Sequence, residues 1–263
     1  MNNYLDSFSE LKTRFGIKTK LIEEKLPTEI LLIEELLYSS FNLDLTISEI
    51  NRKTEKAMEE TLSVIYILFA GTNHFLKGSF DLALIGLNRP SHSLLRTVYE
   101  NILHIYLLHL TEGREAQLYV KNMLGNLSEE EKSEYKEKYR YLSLKKVVHP
   151  LYTAKSKETH LNFYGEISKN SHASIKSAFY DMEIAYQPSK EVLELILLLG
   201  VANLIAINDV FFKILSETDH QVYSKLCERI SEHVGGGPDL IPNSPTLTRH
   251  PNILSLKSWI YNR

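Results

Sequence analysis

The stretch ELILLLGVANLIAINDVFFKIL is apolar on nearly every side of the helix it would form. Such a helix must be covered all round, either by lipid or by other helices. Residues 195–212 have the length of a membrane span, but Gly200, Asn203, Asn208 and Asp209 interrupt them, and Glu191 and Glu194 stand close by. A charged Asp within a span costs roughly 2.5–3.5 kcal/mol on insertion scales. The expectation is a buried helix inside a protein core, with no membrane as partner.

The rest of the chain supplies the covering. Apolar residues recur at three- and four-residue spacing almost throughout, and alternating runs between turn signals are scarce, so the fold class is all-α. Helices are expected over residues 5–25, 28–41, 48–76, 80–87, 91–110, 114–124 and 129–141. After a less regular stretch, further helices are expected over 162–177, 190–217 and 220–232. Pro27 with Thr28 stops one helix and starts the next, and Ser128 with Glu131 three residues later reads as a capping box. The Gly235, Gly236, Gly237, Pro238 run ends the helical body. The reading is an N-terminal helical extension (1–44), a bundle of long helices (45–233) and an irregular Pro/Gly-rich C-terminal tail (234–263). The tail carries the only tryptophan, Trp259, and is expected to dock on the body or on a protein partner.

A length of 263 residues with 43% hydrophobic and 24% charged is that of a globular protein, and a net charge of −3 gives no global pull toward nucleic acid. The single cysteine, Cys227, excludes an internal disulfide and a cysteine-based zinc site. Asp6 and Glu10 interrupt the apolar stretch that a signal peptide needs. A cytoplasmic location is the expectation.

Chemistry-bearing residues concentrate on two apolar helices. In SHSLLRTVYENILHIYLLHL, His92, Arg96, Glu100 and His104 recur every four residues and so share one stripe. They either line a groove or form an ordinary ion pair between Arg96 and Glu100. In NFYGEISKNSHASIKS, Tyr164, Ser168, His172 and Lys176 have the same spacing. Ser168 and His172 have the types of a nucleophile and base, but no orienting acid or oxyanion hole is evident. A core histidine satisfied by Glu100 or a carbonyl is the alternative. Asp209, inside the most apolar helix, either reaches a partner, for which Arg96 is the candidate, or sits at a helix face that solvent reaches.

Glu100, His104 and His172 are of metal-ligand type, but bundle di-metal sites place Glu and His three apart, twice. Neither metal nor cofactor is expected. The segment EEEKSEYKEKYRYLSLKKVVH mixes tyrosines with Lys138, Arg140, Lys145 and Lys146, a combination that can stack bases and bind the phosphates of RNA. Its five glutamates dilute that charge and make a solvated helix face the preferred reading.

LNRPSHSLLRTVYENILHIYLL followed by YGEISKNSHAS resembles a prokaryotic all-helical family of unknown function, over about residues 63–212. A long-helix bundle with a polar Arg and His at its centre also resembles, more distantly, the HEPN superfamily. That resemblance implies a homodimer and, in active members, metal-independent RNA cleavage, with Arg96 on phosphate, His172 as acid or base, Glu100 orienting one of them, and the two helices packed face to face. In this chain Arg96 and His104 have seven residues between them and Arg229 and His233 have three, outside that superfamily's spacing. The expectation is therefore a helical binding or regulatory module of a prokaryotic defence or toxin-antitoxin type system, the alternative being a HEPN-like endoribonuclease.

Overall fold

The apolar stretch forms a helix enclosed by other helices. A computed structural model describes residues 2–53, 60–110, 114–139, 154–171 and 187–234. Among these, nine helices and no strand occur: α1 Asn2–Lys25, α2 Pro27–Lys53, α3 Glu60–Leu84, α4 Asn88–Leu110, α5 Arg114–Met123, α6 Glu129–Tyr139, α7 Ala154–Ser171, α8 Gln187–Val210 and α9 Glu217–Val234. Helix α8 packs against α2, α3, α4 and α9, while α7 covers the outer side of α4. Every residue of α8 from 195 to 209 is buried. It is the one described helix long and apolar enough to cross a membrane, and 89% of that window lies inside the bundle.

Several helix boundaries differ from expectation, each for a local reason. The break expected between 41 and 48 is absent: Leu43 and Ile47 are buried on the same face of α2 as Leu36 and Ser40. Helix α2 therefore passes residue 45 without interruption and joins the central packing against α3 and α8. The junction at Pro27 is as expected, with α1 ending at Lys25 and α2 starting at Pro27. Leu26 N–H donates to Ile22 O (2.8 Å) and closes α1, Ile30 N–H donates to Leu26 O (3.2 Å) and opens α2, and the proline sits at a first-turn position where its missing N–H costs little.

Helix α3 runs on to Leu84 and absorbs the separate helix expected over 80–87. It ends in a glycine cap, with Gly86 at φ +75, Gly86 N–H on Ala83 O and Leu87 N–H on Leu82 O. The buried Lys18 side chain of α1 lies over Gly86, its Nζ 3.5 Å from Gly86 O, leaving no room for a Cβ. The capping box at α6 forms as read: Glu131 N–H donates to Ser128 Oγ (3.2 Å) and Ser128 N–H to Glu131 Oε2 (3.1 Å). A second, unforeseen box of Ser216 and Asp219 starts α9, and α8 ends at Val210, before the expected 217. Helix α7 begins at Ala154, eight residues before its expected start. The tail from 235 onward, with Trp259, lies outside the described residues.

Several polar residues inside the core pair across helices. Asn203 Nδ2 of α8 donates to Asn73 Oδ1 of α3 (3.0 Å), and Asn73 Nδ2 donates to Ser40 O of α2 (3.3 Å). All three residues are 0% exposed. A buried amide without a partner costs about 1–3 kcal/mol, so this ladder strongly favours the one alignment of α2, α3 and α8 that closes it. Gly200 lets α8 approach α2 closely, since a Cβ there would collide with the Leu36 side chain. At the far end, Ser79 and Ser91 bond to each other (2.6 Å), and Ser189 Oγ donates to Asn88 Oδ1 (3.1 Å), tying α3, α4 and α8 together.

Candidate functional site

Two layers of side chains meet where α7 crosses α4. The inner layer is dry. Tyr99 is 0% exposed and His160 1%, and the Tyr99 hydroxyl and His160 Nδ1 are 2.8 Å apart. Phe163 packs edge-on against Tyr99 at 5.1 Å between centroids, and the Tyr99 and His160 rings lie nearly parallel at 6.4 Å. Tyr99 is buried because the apolar face of α4 also carries Leu95, Val98, Ile102 and Leu103; its hydroxyl then requires a partner, which α7 supplies.

The outer layer is half open. Glu100 Oε1 accepts from the Tyr164 hydroxyl at 2.7 Å and from Arg96 Nε at 3.1 Å. The Arg96 and Glu100 side chains keep 33% and 36% of their surface in water. The Arg96 guanidinium lies 5.0 Å from the Tyr164 ring centroid, a cation–π distance. Burial raises the Tyr164 phenol above its ordinary range, and the Glu100 bond and charge add to this, with Arg96 opposing. Burial works against the Arg96 charge, but Glu100 and Tyr164 outweigh it and leave the guanidinium more firmly protonated than usual. The cluster is thus an internally neutralised ion pair with an aromatic lid.

One turn further along α4, burial pushes His104 down to about 4, with the Glu100 charge opposing. It is a neutral imidazole at pH 7, with its ring 5.2 Å from that of Tyr119. Among the described residues no three His, Cys, Asp or Glu side chains group as metal ligands. Cys227 is buried in α9, and burial pushes its thiol well up, so it is an inert core side chain.

The sequence-expected residues divide as follows. Arg96 and Glu100 come together, and the two polar helices do pack on each other, with Tyr164 bonded to Glu100. Ser168 stands on the same stripe of α7 as Tyr164 and is half-buried. His172 lies outside the described residues, as do Arg140, Lys145, Lys146 and the side chain of Lys138. The expected pairing of Arg96 with Asp209 does not form, because Arg96 turns to Glu100 and Tyr164 on its own side of the bundle. Within α6 the charges pair locally, Lys132 with Glu129 (2.6 Å) and Lys121 of α5 with Glu131 (2.7 Å).

Sequence reading missed His160 and Tyr99. The signal was present, since His160 stands four residues before Tyr164 and extends the Tyr164, Ser168 stripe by one turn. The polar run AKSKETH hid it, having too few apolar residues to mark the helix start. A second missed contact joins His220 of α9 to Asn208 (2.6 Å) and to Phe212 O (3.0 Å), which accounts for one of the polar residues in the apolar helix.

No family model matches this chain, and comparison with curated proteins and with solved structures likewise finds no match.

Proposed function

We propose that the chain is a helical binding or regulatory module of a prokaryotic defence or toxin-antitoxin type system, HEPN-like in build but degenerate as a nuclease, and that it acts in the cytoplasm. The observation that carries this reading is the state of Arg96. Its charge is neutralised by Glu100 one turn away, and Tyr164 holds both in place. A guanidinium recruited to a scissile phosphate must present its charge to the ligand, whereas a carboxylate in contact with it repels phosphate. A pair closed in this way presents no free cation to a phosphate and, with Tyr164, offers a polar, aromatic surface to a protein partner. The C-terminal tail is a further candidate for that contact.

The competing reading is a metal-independent endoribonuclease using His172, Arg96 and Glu100, with RNA held by Lys138, Arg140, Lys145 and Lys146. It draws support from the packing of α4 on α7 and from the part of the pair that remains in water. Incubating the purified protein with mixed RNA, with and without chelator, beside folded His172→Ala and Arg96→Ala variants, separates the two. The binding reading expects RNA to stay intact in every lane. Cleavage that survives chelator and disappears in both variants would replace it with the nuclease.

A further inference from the structure

A hydrogen-bond ladder has a direction, and the one at the crossing of α2, α3 and α8 is fixed at one end by a backbone carbonyl. Ser40 O can only accept, so the Asn73 atom that meets it at 3.3 Å is the amide nitrogen. The other end of the Asn73 side chain is then the oxygen, and the Asn203 atom 3.0 Å from it is a nitrogen. That leaves Asn203 Oδ1 as the free end of the ladder, an acceptor, fully enclosed and without a hydrogen-bond partner in the chain. Ser40 Oγ is in the same state on the residue where the ladder begins. Its hydroxyl does not turn back to the carbonyl four residues earlier, as those of Thr19, Thr46 and Thr72 do at 2.7–3.0 Å. The core thus holds one hydroxyl able to donate and one oxygen able only to accept, on two residues that bond the two ends of a single carboxamide.

We propose that this crossing binds one internal water molecule, which accepts from the Ser40 hydroxyl and donates to Asn203 Oδ1. The water closes the ladder into a ring that runs from Ser40 through Asn73 and Asn203 and back to Ser40. Its second hydrogen has an acceptor in the remaining lone pair of Asn73 Oδ1, so the site offers three partners, the usual number for a buried water. Other occupants do not suit the chemistry. Internal spaces that stay dry are lined by apolar groups, and an unmatched oxygen in such a place is costly. A hard cation takes about six oxygens, carboxylates among them, and the ladder is neutral throughout. Nothing larger than water fits between the helices: Gly200, one turn before Asn203, brings α8 so close to α2 that a Cβ would collide with Leu36, itself one turn before Ser40. The ring gives α2 and α8 a link that does not pass through α3, and its bonds polarise one another. This inference does not depend on the reading of the α4 and α7 layer.

A crystal structure of the full chain that resolves ordered solvent tests it, together with water Overhauser measurements in solution. The expected result is one water within hydrogen-bonding distance of both Ser40 Oγ and Asn203 Oδ1, and a long-lived Overhauser contact between water and the Asn203 side-chain amide protons. Ser40→Ala should abolish that contact, since a water left with two acceptors and no donor is not held. The same variant should raise the unfolding equilibrium constant roughly five- to tenfold. Both wild-type measurements decide the matter even where the variant fails to fold. A Ser40 hydroxyl bonded directly to Asn203 Oδ1 or to Leu36 O, with no water between the helices, would overturn the proposal. So would a Ser40→Ala protein that keeps the stability and the Overhauser contact of the wild type.

Discussion

Two polar regions of the bundle handle the same problem in opposite ways. The amide ladder of Asn203, Asn73 and Ser40 is fully enclosed, and its two amide donors each reach an acceptor on another helix, while Asn203 Oδ1 and Ser40 Oγ are enclosed without a protein partner. The Arg96, Glu100 and Tyr164 cluster also joins two helices, but keeps about a third of each charged side chain in water. An enclosed polar contact is costly to break because what remains is unsolvated, whereas a half-open one is replaced by water at small cost. The ladder is therefore part of what determines the fold, and the cluster is free to carry function. Sequence alone does not rank them, since both read as polar residues inside apolar helices.

The largest expected effect is on the ladder. Asn203→Ala removes a donor, leaves Asn73 Oδ1 buried and adds a small cavity, and should cost about 3 kcal/mol in urea unfolding. A loss under 1 kcal/mol would place the two regions on the same footing. Next is pH. The folded His104 imidazole sits at about 4, below the ordinary 6.5, so the unfolded chain binds the proton that the folded one refuses. The stability this contributes is complete above about pH 6.5 and is lost as pH falls toward 4. About 2 kcal/mol should disappear over that window, and His104→Phe, followed by thermal melts at pH 7 and 4.5, should remove most of the difference.

Gly200→Ala tests the close approach of α8 to α2. The added methyl meets Leu36, and roughly 1.5 kcal/mol of overpacking is expected in the same unfolding assay. Pairing it with Leu36→Ala should recover part of that loss relative to Leu36→Ala alone. The smallest effect is on the open cluster: Tyr164→Phe loses one half-exposed hydrogen bond to Glu100 and should cost about 0.5 kcal/mol.

Much of the architecture could be read from local pattern. The three- and four-residue spacing gave the helices, the all-round apolar character of 195–212 gave the buried α8, and Ser128 with Glu131 gave a helix start, because each depends on residues within a turn or two of one another. The Arg96 and Glu100 pair was legible for the same reason. What escaped depends on tertiary contact. That Asn203 meets Asn73, that Tyr99 meets His160, and that Arg96 turns to Tyr164 and away from Asp209 are matters of how helices far apart in sequence lie together. The continuity of α2 escaped because the polar residues Asn42 and Asp44 suggest a turn, while burial of Leu43 and Ile47 outweighs that local preference. His172, central to the nuclease reading, lies outside the described residues.

The contrast between a fold-determining ladder and a dispensable open cluster is tested most directly by one urea titration series of the wild type, Asn203→Ala, and the double variant Arg96→Ala/Tyr164→Phe. The account predicts that Asn203→Ala loses about 3 kcal/mol, while the double variant loses roughly 1 kcal/mol and keeps a single cooperative transition. A double variant as unstable as Asn203→Ala would contradict it, and would make the α4 and α7 cluster structural glue and no longer a functional surface.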